Sequence, residues 1–183
     1  MRRDMAWPRR ARVVLLLALT AAALAAMHAR PAVADDDPSD ALRPCRRADL
    51  IGVWAMIRLG TAPSSRVDAA DPVVSPYQRF AFRSDAGLRH LGAASPVGPA
   101  EQRAILTAPA TTTWSVDRTG RLLTRKEGAT AAEIDACQVL LTKISDPRSP
   151  IPGLPGDVLL THYGQDGKPV ARRLLRKMSG PGE

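Results

Sequence analysis

The stretch Leu50 to Gly60, LIGVWAMIRLG, decides how the rest of the chain is read. Its apolar and β-branched composition is that of a buried strand. Read with a period of two, Leu50, Gly52, Trp54 and Met56 share one face, while Ile51, Val53, Ala55, Ile57 and Leu59 share the other. Both faces are apolar, so the strand is expected to be covered on each side by protein or by a partner. Gly52-Val53-Trp54 sets the bulkiest side chain beside the smallest, an arrangement that suits the closed end of a small barrel.

Downstream, the chain reads as a series of strands. Gly60 to Pro76 is a long Pro- and Ser-containing connection, expected to lie over the mouth of a barrel or to be a surface loop. Tyr77 to Arg83 alternates, with Phe80 and Phe82 on the dry side and Arg79 and Arg83 on the wet side. Ser84-Asp85-Ala86-Gly87 turns the chain into a return strand from Leu88 to Leu91. Pro99 to Leu106 predicts a short helix, with Pro at its first position and Glu101 in its first turn. Thr111–Val116 and Arg121–Lys126 form a second hairpin around Asp117-Arg118-Thr119-Gly120. Glu127 to Ala136 is helix-permissive, and Cys137 to Ile144 returns to strand character. A break rich in proline follows, and Val158–Tyr163 with Val170–Lys177 closes the chain as a third hairpin. Repeated antiparallel neighbours without crossover helices predict an all-β, antiparallel up-and-down meander with one or two short helices.

Residues 1–34 read as a signal peptide. Arg2, Arg3, Arg9, Arg10 and Arg12 precede a fourteen-residue apolar run, Val13 to Ala26, interrupted only by Thr20, and Ala32-Val33-Ala34 supplies a small-x-small cleavage site. Fourteen is short of the ~20 residues a membrane span needs, so no stable membrane anchor is expected. Residues 35–48 read as a loose polar arm, 49–178 as the folded domain and 179–183 as a disordered tail. The full chain of 183 residues carries 26 Lys+Arg and 18 Asp+Glu, but the leader holds six and one of these. The remainder is only +3, which removes the main support for a nucleic-acid partner. The expected location is the periplasm or the exterior, where an even pair of cysteines favours a Cys45–Cys137 disulfide over two unpaired thiols or a metal pair.

Gly52-x-Trp54, at the start of the folded region, resembles the G-x-W signature that opens the first strand of lipocalins and related calycins. In that family the Trp plugs the barrel floor and packs under an Arg from the last strand. The resemblance thus implies a lipocalin-like barrel in a secreted bacterial protein, with a floor of Gly52, Trp54 and Arg172. Arg173, on the opposite face of the same strand, is the alternative to Arg172. Such a stack contributes about 0.5–2 kcal/mol, depending on how dry the site is. No Thr-Asp-Tyr motif follows, about seven strands are countable where the family has eight, and six residues after Lys177 leave no room for a flanking helix.

Chemical motifs are scarce. His90 and His162 stand at no metal-binding spacing and read as surface or hydrogen-bonded histidines, and neither a G-x-S-x-G elbow nor a phosphate loop occurs. Asp85, Asp117 and Asp166 are accounted for by turns. No catalytic residue, metal or cofactor is expected. The function expected is a binding module that holds a small apolar ligand between Phe80, Phe82, Trp114 and Tyr163. The alternative is a periplasmic accessory protein that binds another protein through an apolar or Arg-rich sheet face. An enzyme of unrecognised type comes third, and a tight cluster of histidine and carboxylate would bring it forward.

Overall fold

The computed structural model describes residues 40–61, 74–147, 149–164 and 166–178. The expected signal peptide, the tail and most of the Gly60–Pro76 connection lie outside the described residues. The elements, in order, are β1 (Leu42–Pro44), α1 (Arg47–Leu50), β2 (Gly52–Thr61), β3 (Tyr77–Phe82), β4 (Gly87–Ala93), α2 (Pro99–Thr107), β5 (Thr112–Val116), β6 (Arg121–Lys126), β7 (Glu133–Leu140), β8 (Val158–Tyr163) and β9 (Pro169–Lys177). From β2 onward each strand pairs antiparallel with the next, and β9 pairs back onto β2. The result is a closed up-and-down barrel of eight strands, one more than the sequence alone made countable.

Two segments differ from their sequence reading. Residues 42–50, placed largely in a loose arm, form β1 and α1. β1 pairs with the end of β7 through Leu42↔Leu140, Arg43↔Val139 and Pro44↔Gln138. Glu133–Ala136, read as helix-permissive, is the first half of β7 and pairs with both β6 and β8. By contrast, α2 lies where its signals put it. Pro99 occupies the first turn, and the Gly98 amide donates to the Glu101 carboxylate at 2.8 Å.

One end of the barrel is sealed by large side chains. Leu50, Trp54, Phe82, Trp114, Leu122, Val158 and Leu175 are all buried there. Trp54 Nε1 donates to the Leu50 carbonyl at 2.6 Å, and Trp114 Nε1 donates to the Arg83 carbonyl at 3.2 Å, so neither indole leaves its N–H unsatisfied. Phe82 meets Trp114 edge-on at 5.1 Å. Arg47, from α1, lies 4.7 Å over the Trp114 ring. Cys45 and Cys137 are disulfide-bonded across 92 positions, and the Cys45 amide donates to the Cys137 carbonyl at 3.0 Å. This ties α1 and β1 beneath the barrel. A disulfide marks an oxidising, extracytoplasmic location. Among the described residues no helix is long and apolar enough to cross a membrane.

The cation above Trp54 is not Arg172. Trp54 pairs with Lys177, whose ammonium lies 5.7 Å from the ring centroid. Arg172 pairs with Gly60 at the far end of the same strand and is exposed. Arg173 does face inward, but it lies opposite Leu59, well above the floor. Gly52 has φ +132°, and a Cβ there would meet the Lys177 Cε at 2.8 Å, so glycine leaves room for the lysine stem to cross the indole. The pairing of β2 with β9 shifts between Met56 and Arg58. Beyond that bulge the strand's parity reverses, and Leu59 packs against the same core as Trp54 and Met56.

Candidate functional site

The inward-facing columns of the barrel change character as they climb from the floor. β4 presents Leu88 and then His90, β6 presents Leu122, Thr124 and Lys126, and β8 presents Val158, Leu160 and His162. β7, running downward, presents Glu133 and Asp135 before Cys137 and Val139. Each column steps by two residues, so ordinary strand parity delivers a dry lower half and a polar upper half. Between the halves lies a cavity of about 330 Å³. Phe80, Phe82, Leu88, Leu122 and Leu160 form its apolar base. Its upper wall holds His90, Lys126, Glu133, Asp135, His162 and Arg173, together with Thr112 and Thr124.

Asp135 and His162 are direct cross-strand partners on β7 and β8. Their side chains meet at 2.8 Å between Oδ1 and Nδ1. A carboxylate accepts only, so it fixes the imidazole proton on Nδ1. The hydrogen bond to Asp135 is the main cause that raises the His162 pKa above its ordinary value, against the opposing effects of burial and of Arg173. Arg173, on β9, is 5% exposed and brings Nη1 to 4.0 Å from the other Asp135 oxygen. Across the cavity His90 stacks on Phe80 at 4.5 Å, and its Nε2 lies 3.2 Å from Gln78 Oε1. Desolvation first, then the charges of Arg173 and Lys126, push the His90 pKa down to about 4. His90 is nonetheless exposed by surface area, so water in the cavity screens the ring and moderates that shift. Lys126 and Glu133 pair with each other at 3.1 Å nearer the mouth.

Of the four aromatic residues expected to line a pocket, Phe80 and Phe82 face the cavity. Trp114 is buried lower down, against Phe82, as part of the floor. Tyr163 is 42% exposed and points away from the cavity, because the inward column on β8 runs through Leu160 and His162. The two histidines, read as surface or hydrogen-bonded residues, are hydrogen-bonded to Gln78 and Asp135, and both line the cavity. The signal for them was parity, since each stands two residues beyond an inward leucine, Leu88 or Leu160. Among the described residues no group of three or more His, Cys, Asp or Glu side chains is placed to hold a metal ion.

An Asp-oriented histidine beside a buried guanidinium can donate hydrogen bonds to an anion, or exchange a proton with a bound molecule. The apolar base below can take a hydrocarbon portion. No family model, curated protein or solved structure matches the chain.

Proposed function

We propose that the protein is an exported, lipocalin-like binding protein that holds one small ligand inside the barrel. The single observation that carries this reading is the cavity of about 330 Å³ above a floor that is otherwise filled. A barrel of eight strands is narrow enough to fill itself with side chains, so space left above Phe80, Leu122 and Leu160 is a feature of this sequence. The volume lies at the small end of the range for ligand sites, about 300–1,000 Å³. The purely apolar ligand expected from sequence becomes an amphipathic one, because half of the cavity wall is polar. The reading includes the periplasm or the exterior as the place of action, in keeping with the disulfide.

Native mass spectrometry of protein purified from its own host tests this. The expected spectrum shows one small molecule per chain, released on unfolding. A second polypeptide in place of a small molecule would instead support the accessory-protein alternative, with exposed Ile134 and Tyr163 or the outward Arg172 as contact candidates. The Asp135–His162 hydrogen bond also favours a second reading, in which His162 acts as a general base on the bound molecule. A ligand recovered chemically unchanged after prolonged incubation argues against that second reading.

A further inference from the structure

The upper cavity has a definite electrostatic sense. One carboxylate, Asp135, faces both His162 at 2.8 Å and Arg173 at 4.0 Å. The other described groups that face His162 are Glu133 on β7, Lys126 on β6 and His90 on β4, and the first two neutralise one another. With His162 protonated, the Asp135–His162–Arg173 set therefore carries one net positive charge above an apolar base. The depressed basicity of His90, on the opposite wall, is caused first by desolvation, and the charge of Arg173 across the cavity adds to it. A cationic ligand is disfavoured in that field, whereas an anion is attracted. The guanidinium fork has the planar geometry that matches a carboxylate.

His162 also determines when the anion is accepted. While neutral, its single proton is committed from Nδ1 to Asp135, so Nε2 is an acceptor and offers nothing to a carboxylate. Once protonated, Nε2–H becomes a donor. Building on the ligand-binding reading, we propose that the barrel takes small aliphatic carboxylates, with the carboxylate against His162 and Arg173 and the chain on Phe80, Leu122 and Leu160, and that one proton enters His162 with each ligand. Where His162 is neutral in the free protein, ligand carboxylate, proton and free protein combine into the complex, with no covalent bond made or broken; where it is already protonated, the ligand enters alone. At ~30 Å³ per water-sized group, a cavity of about 330 Å³ suits a ligand of about eleven heavy atoms, the size of octanoate.

Isothermal titration of the full mature protein with octanoate, octanol and octyltrimethylammonium, at about pH 6 and about pH 8.5 and in buffers of different ionisation enthalpy, tests the proposal. Octanoate is expected to bind at least about tenfold more tightly than octanol at the lower pH, one pKa unit of differential interaction being worth that factor. The ammonium compound is expected not to bind. Octanoate affinity should fall by up to about tenfold per pH unit between the His162 pKa of the free protein and the higher one of the complex, and level off above it, with up to one proton taken up per ligand inside that interval. His162→Gln should bind octanoate at both pH values with the weaker affinity that the native protein shows at the higher one. Arg173→Met should keep octanol binding and lose the preference for octanoate. Because Arg173 is buried, the His162→Gln result stands alone if the Arg173 variant does not fold. Equal affinity for octanoate and octanol, or preference for the cation, would overturn the carboxylate assignment while leaving the ligand-binding reading intact. An unchanged pH profile in His162→Gln would remove the proton from the proposal. If none of the three compounds binds, the carboxylate assignment falls, while the ligand-binding reading is decided by the native mass spectrum.

Discussion

The two halves of this barrel are built from the same strands to opposite ends. At the floor, the inward positions are Trp54, Phe82, Trp114, Leu122 and Leu175, both indole N–H groups are satisfied, and a disulfide ties the preceding segment underneath. Toward the mouth, the same columns continue as His90, Lys126, Asp135, His162 and Arg173 around empty space. The contrast shows a division of labour along one axis. The lower half supplies most of the buried apolar area that stabilises the fold. The upper half gives up packing and buries charge, which costs stability and leaves the polar-walled cavity on which the proposed binding rests.

The contrast makes a ranked set of predictions. Breaking the Cys45–Cys137 bond by a double Ser substitution should have the largest effect. The chain-entropy model for a loop of this length gives a loss of about 4–5 kcal/mol, measurable by urea denaturation of oxidised and substituted protein. Trp54→Ala should cost about 3–5 kcal/mol in the same measurement. Lys126→Ala, at the mouth, should stay within about 0.5 kcal/mol of the native protein. If the mouth substitution were the costlier of these two, the division of labour would be refuted. Thr124→Trp fills the cavity from its half-buried middle. Ligand affinity should fall by at least about tenfold, with stability changed by no more than about 1 kcal/mol.

The smallest expected effects are titrations. NMR should find His90 titrating near pH 4 and His162 above the ordinary histidine value of 6.5. The signs of their stability contributions are opposite. The folded pKa of His162 is raised, so its contribution is fully present below pH 6.5 and is lost as pH rises through the folded value. The folded pKa of His90 is lowered, so its contribution is present above pH 6.5 and is lost as pH falls toward about 4. Stability should therefore peak near pH 6.5 and decline on either side. His162→Gln should remove the loss on the alkaline side alone.

The same contrast explains what could be read from the chain. The floor was legible because its signals are local. Gly52-x-Trp54, the turns at Asp85 and Asp117 and the cysteine pair each announce themselves within a few residues or by simple count. The mouth was not, because its hydrophobic pattern is inverted. On β7, Glu133 and Asp135 face in while Ile134 is 44% exposed, so the segment does not show the alternation expected of a strand with a dry interior. On β8, Tyr163 drew the assignment that parity gives to His162. Lys177 displaced Arg172 over Trp54 because the β2–β9 register is a tertiary fact that no short motif encodes. Leu59 joined the core only through a bulge that strict alternation does not anticipate.

The described ladder is uneven. β4 spans Gly87–Ala93, yet it shares only Gly87↔Thr113 and Leu88↔Thr112 with β5. Above that point the two strands have no described rungs between them, and His90 and Thr112 lie on either side of the gap. Spreading the wall there breaks no rung of the described ladder and strains only the long Arg89–Thr111 hydrogen bond of 3.4 Å, so the upper half is held less firmly than the lower. On the proposed binding reading, the cavity volume is thus a lower bound on ligand size, and the slit is where a larger ligand would be accommodated.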